Sequence, residues 1–188
     1  MSTLHVENLK GLSSGGNANK IIIPSGQTID ASAGTLTPSA GQVIQKVHNT
    51  WNGETTTNSD QGFSDVSGSS FSFTPKLSTS RLFITAHYHF NAYSSTNYYA
   101  GGMCRIVHDG TALDYVSQYY ELYNQQISSG TSPNLHLRQS KCITVASGNT
   151  NARTIKLQII KYGSGTAEAR LNQGNYYYST IVVEEVVQ

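Results

Sequence analysis

His87-Tyr88-His89 is the spacing in this chain that most invites chemistry. In an extended strand alternate residues share a face, so the two imidazoles stand on one side, about 7 Å apart at Cα. Imidazole pairs of this kind can ligate transition metals. The plainer reading is two ordinary outward-facing histidines, and no second copy of the motif occurs. No cofactor is therefore expected. Hydrolytic chemistry finds less support. A glycosidase needs two carboxylates facing one cleft. The acids here sit in turn-like segments (Asp60, Asp65, Asp109), beside a Tyr-rich run (Asp114, Glu121) or near the C-terminus (Glu184, Glu185). No GxSxG, P-loop or HExxH pattern occurs. The chain reads as non-enzymatic.

Tyrosine is the other informative residue. Ten of the twelve tyrosines gather in YSSTNYY (93–99), YVSQYYELY (115–123) and NYYY (175–178), interleaved with Ser and Asn. Tyr offers a large rigid face with a polar tip, and Ser and Asn supply adaptable hydrogen bonds, which is the composition of binding loops. Loops at 91–102 and 123–134 are the candidate contacts to a glycan or protein. Tyr93, Tyr98, Tyr99, Tyr119, Tyr120 and Tyr123 are the residues in question. The competing explanation is that Tyr is a good strand residue on a half-polar sheet or a subunit interface.

The elements that must position these residues are strands. Ser, Thr, Asn and Gly make up about two-fifths of the 188 residues, and only 12% are charged, roughly half the usual share. That composition disfavours helices. The balance of 12 basic against 11 acidic residues gives no basic excess for nucleic acid. No run of about 18 apolar residues exists to span a membrane, and MSTLHVENLK lacks the pattern of a signal peptide. Cys104 and Cys142 lie in strand-like runs and read as two buried small apolar side chains; spacing does not tell whether they pair.

Residues 1–45 contain no aromatic residue, so they can hardly build a core alone. They read as an attachment or intertwining arm. Ile21, Ile22, Ile23, Ile29, Val43 and Ile44 are its oligomer or attachment candidates, because a run of three isoleucines leaves both strand faces apolar. A flexible linker is the alternative. Residues 46–70 read as a long loop or irregular edge strand entering a domain over 46–188. Beyond them, RLFITAHYHF predicts Leu82, Ile84, Ala86, Tyr88 and Phe90 on one face, with His87 and His89 on the other. RTIKLQIIKYG predicts Ile155, Leu157 and Ile159 together. Asp109-Gly110 is a hairpin signal, LDYVSQYYELY (113–123) is read as a strand, and YYYSTIVVEEVV as a long terminal strand. About eight strands with turns between them predict an all-β antiparallel sandwich of jelly-roll type. The terminal run, apolar on both faces apart from Glu184 and Glu185, belongs in mid-sheet or against another subunit.

In this order the motifs resemble virion proteins of marine tailed bacteriophages, the tail-fibre-like or short-fibre group. The carrying segments are IIIPSGQTIDASAG (21–34), GQVIQ (41–45), SFSFTPKLSTSRLFIT (70–85), RIVHDGTAL (105–113) and YYSTIVVEEV (177–186). The resemblance covers most of the chain. It implies a homotrimer whose N-terminal part docks to other virion proteins of tail or capsid and whose jelly-roll head is exposed. Assembly in the host cytoplasm and residence in the virion follow. Three copies of His87 and His89 around a threefold axis would offer six imidazoles to one metal ion. The same parts suit a capsid fibre or decoration protein. A stand-alone carbohydrate-binding module, monomeric, is the reading from another class.

Overall fold

The computed structural model describes residues 13–15, 21–22, 25–26, 38–95, 99–113, 122–125, 134–163 and 166–188. The chain divides into two units, Met1–Thr37 and Pro38–Gln188. In the first, Ile21 and Ile22 are 51% and 57% exposed; Ile23 and Ile29 lie outside the described residues.

The described part of the second unit is all-β, with strands β1 (Val43–Trp51), β2 (Thr55–Thr57), β3 (Ser64–Asp65), β4 (Phe71–Phe73), β5 (Arg81–Ser94), β6 (Tyr99–His108), β7 (Thr111–Ala112), β8 (Leu122–Gln125), β9 (Asn134–Ala146), β10 (Arg153–Tyr162), β11 (Ala167–Leu171) and β12 (Ser179–Val186). One 3-10 turn, Gln173–Asn175, is the helical element among the described residues. The strands form two sheets, and every pairing is antiparallel.

Several strands are halves of one column. β12 and β11 follow one another along the same side of β5, and β1 and β2 follow one another along the far side of that pair. β9 pairs with the other side of β5 over nearly its whole length. The first sheet is therefore four columns wide: β1/β2, β11/β12, β5, β9. In the second, β3 and β4 share one side of β10, β6 takes the other, and β7 and β8 share the far side of β6. Numbered along the chain, the columns run 1-8-3-6 in one sheet and 2-7-4-5 in the other.

The core lies between the sheets. Leu82, Ile84, Ala86, Tyr88 and Phe90 of β5 are buried, as are Ile155, Leu157 and Ile159 of β10, both as the alternation predicts. β12 sits between β1 and β5, the mid-sheet place its apolar character predicts, with Ile181 and Val183 fully buried. The sheets approach closely at Gly102 of β6. A Cβ there would stand 2.6 Å from the Ile160 carbonyl oxygen, 2.8 Å from the Phe90 ring and 2.9 Å from Ala169 Cβ of the opposite sheet.

Glu185, also on the inner face of β12, is fully buried. Its carboxylate accepts from the backbone N–H of Lys76 (2.8 Å) and of Leu77 (2.8 Å), and from the Ser80 hydroxyl (2.6 Å). A buried charge is tolerated when donors surround it, and here it ties the β4–β5 connection to the sheet. Asp65 does a smaller version of this at the surface. Hydrogen bonds from Lys156 and then Gln158 join β3 to β10 and hold its carboxyl below the usual carboxylate range.

Three expectations change, and one alternative is decided. Residues 46–51 take the edge-strand alternative: they belong to β1, whose inward Val47 and Trp51 face the core while His48 and Thr50 meet solvent. Val43 and Ile44 accordingly open a sheet strand, paired with β12, and the second unit begins at Pro38 rather than after residue 45. The terminal strand starts at Ser179, not at Tyr176. Asn172, Gly174 and Asn175 hold φ of 52°, 69° and 59°, left-handed conformations that leave the ladder. Cys142 is exposed on β9, whereas Cys104 is buried, and no disulfide joins them. Of the run 113–123, residues 114–121 lie outside the described residues.

Candidate functional site

The column breaks of the first sheet coincide. β1 gives way to β2 across residues 52–54, and β11 gives way to β12 across 172–178, at the level where β5 carries His87–Phe90. The ladder runs from Leu171, opposite Phe90, to Thr180, opposite His87. Nine steps on one strand face three on the other, so the chain between must bulge outward.

The bulge is pinned at its base. Asn172 is fully buried; its backbone N–H donates to the His89 carbonyl (3.1 Å), its amide to the Trp51 carbonyl (3.3 Å), and its side-chain oxygen accepts from Ser179 Oγ (2.6 Å). The 52–54 connection holds the other side. The Gly174 N–H donates to the Glu54 carboxylate (2.7 Å), and the Glu54 N–H donates to Asn175 Oδ1 (2.7 Å). On this base Tyr176 and Tyr178 stand 84% and 70% exposed. Large aromatic rings seldom sit so openly without a reason beyond packing.

Tyr177 turns back onto the sheet. Its ring stacks on His89 at 3.6 Å between centroids, 10° from parallel, and the His136 ring lies 5.2 Å from His89. His89 is thereby 5% exposed and His87 remains open, so the two histidines of the H-x-H motif differ in their surroundings. Covering is what the alternation alone did not foresee, because Tyr177 arrives from 88 residues away. Burial, then the nearby His136 and Arg138, push the His89 imidazole below its usual range. Its Nδ1 is buried without a hydrogen-bond partner. Beside it a depression of about 320 Å³ opens, lined by His87, His89, Arg138, Ser140 and Tyr178 among others. Among the described residues no group of three or more His, Cys, Asp or Glu is placed to hold a metal.

The Tyr candidates fall in different places. Tyr93 is a residue of β5, half-buried under the Arg170 guanidinium, 4.5 Å from the ring centroid, and Arg170 pairs with Glu168. Tyr99 opens β6 with its ring 5.8 Å from that of Tyr162. The two line a second depression of about 330 Å³ with Asp60, Gln61, Lys161 and Gly163, at the end of the sandwich where β2, β5 and β10 finish. The expected loops 91–102 and 123–134 are thus shorter, since their ends are strand. Tyr123 falls in β8, and Tyr98, Tyr119 and Tyr120 lie outside the described residues. Tyr176 and Tyr178 were legible as a tyrosine cluster; what hid them was their apparent place in a strand.

No family model matches the chain, and no curated protein does. Among solved structures it is similar to a chain of the infectious bursal disease virus Gx strain, with 16% identity, 88% of this chain and 43% of that chain covered, and a TM-score of 0.35. A chain of the VP2 subviral particle of infectious bursal disease virus gives 13% identity, 78% and 38% coverage, and a TM-score of 0.32. The chain spans about two-fifths of the length of these viral chains. At such values the likeness assigns neither detail nor role.

Proposed function

We propose that this chain is a non-enzymatic virion structural protein, a trimeric fibre-like component whose N-terminal unit attaches to the particle and whose sandwich is displayed for host-surface recognition. The observation that supports it best is a sandwich of two antiparallel sheets with column orders 1-8-3-6 and 2-7-4-5, which suits the jelly-roll reading, preceded by a separate unit that presents Ile21 and Ile22 to solvent. Adjacent exposed isoleucines are costly unless another chain covers them. The order of sequence motifs shared with tailed-phage fibre-like proteins favours the same reading. A capsid fibre or decoration protein would use the same two parts. Light scattering on the purified chain should return three times the 20.4 kDa chain mass, and labelled antibody should mark the outside of intact particles in electron micrographs. A monomer that no particle carries would refute the proposal and favour the stand-alone carbohydrate-binding module.

A further inference from the structure

We propose that the depression beside the bulge binds a single carboxylated sugar residue, with Arg138 taking the carboxylate and Tyr178 taking the sugar face. This rests on the reading of the sandwich as a displayed recognition head, and it names what that head recognises. Three observations carry it.

The first is charge. Arg138 stands on β9 directly opposite His89 of β5, and Ser140 directly opposite His87. The lining thus brings together one guanidinium, two imidazoles and a hydroxyl, with no carboxylate among its residues. The ion pairs found among the described residues engage Lys46, Lys156 and Arg170 and leave Arg138 aside. A guanidinium without a counter-ion in the lining fits an anionic ligand, and it matches the two oxygens of a carboxylate.

The second is the orphan nitrogen. His89 is among the residues that line the depression, is held in place by the Tyr177 stack, and has a buried Nδ1 without a hydrogen-bond partner. A buried polar atom without a partner calls for one, and a sugar hydroxyl can either donate to it or accept from it.

The third is shape. Tyr178 offers an exposed aromatic wall, held by a bulge that the Asn172 and Glu54 hydrogen bonds fix before any ligand arrives. Pre-organisation lowers the ordering cost of binding. A volume of about 320 Å³ is at the small end of ligand sites, roughly 300–1,000 Å³, so it admits one ring rather than a chain. A lone carboxylate from a protein side chain would use the guanidinium but not the aromatic wall.

The test is a chemical-shift titration of the full chain with galacturonate, galactose and acetate. Galacturonate should shift the signals of His87, His89 and Ser140 and bind at least about tenfold tighter than either control, a margin equal to one charge-assisted contact. Arg138→Gln should bring galacturonate down to the galactose level, and Tyr178→Ala should bring it down to the acetate level. Both side chains lie on the surface, and unchanged signals from the core strands will confirm that each variant folds. Equal binding of galactose would overturn the role of charge. Equal binding of acetate would overturn the role of the ring. No shift at these residues would overturn the site. None of these outcomes touches the oligomer mass or the particle location, so this inference and the proposed function fail separately.

Discussion

At the scale of single residues, two buried ionisable groups set how the protein responds to substitution and to acid. Glu185 is fully buried and held by two backbone N–H groups and a hydroxyl. Removing it strands those donors, so Glu185→Ala should lower unfolding free energy by about 3 kcal/mol, read from urea midpoints. A loss below about 1 kcal/mol would mean water already reaches the β4–β5 connection. His89 works through protonation. Burial, His136 and Arg138 depress its folded-state pKa, while the unfolded imidazole stays near 6.5. Between those values the unfolded chain binds more protons, so stability rises with pH there and falls as pH drops below the unfolded value. His108 is depressed in the same direction, by burial and then Arg153. Replacing His89 by Phe keeps a ring under Tyr177 and removes the titration. The variant should therefore lose less stability than the parent between about pH 7.5 and pH 5, while His108 still contributes in the same direction. An unchanged slope would show that His89 titrates alike folded and unfolded.

At the scale of elements, the crease in the first sheet matters most. β5 and β9 pass through it unbroken while their neighbours stop and restart, so a stiff support carries an excursion that is free to hold exposed tyrosines. The support depends on close contact with the second sheet at Gly102, where the backbone leaves no space for a methyl group. Gly102→Ala should destabilise by about 1–3 kcal/mol, the usual cost of overpacking. Adding Ala169→Gly should return only part of it, because the Ile160 carbonyl and the Phe90 ring remain in the way. Full recovery would locate all the crowding at Ala169.

At the scale of the molecule, Pro38–Gln188 closes its own core from Phe73, Phe90, Ile106, Leu157 and their neighbours. A chain beginning at Pro38 should keep a single cooperative unfolding transition, with a midpoint within a few degrees of the full chain by calorimetry. If the N-terminal unit is the attachment arm, the same chain should fail to enter particles. Incorporation without residues 1–37 would remove the arm from the proposed function and leave the sandwich as the docking part.

The sequence by itself determined the class of structure. Alternation placed Leu82–Phe90 and Ile155–Ile159 on inner faces, because period two is a local property of extended chain. Sparse charge and abundant turn residues pointed to an all-β chain, and a terminal strand apolar on both faces apart from two glutamates called for a place in mid-sheet or against another subunit. What the tertiary structure decided was everything that depends on residues far apart in the chain. Most of β1 read as either loop or edge strand, because an edge strand needs only half its residues apolar. The H-x-H pair looked symmetric until Tyr177 covered one member. Tyr176–Tyr178 looked like strand until Asn172 and Asn175, held by Trp51, Asn52 and Glu54 from more than a hundred residues away, turned the chain out of the ladder. Local pattern specifies which residues prefer to be inside; only the closed sheets specify which partners arrive to put them there.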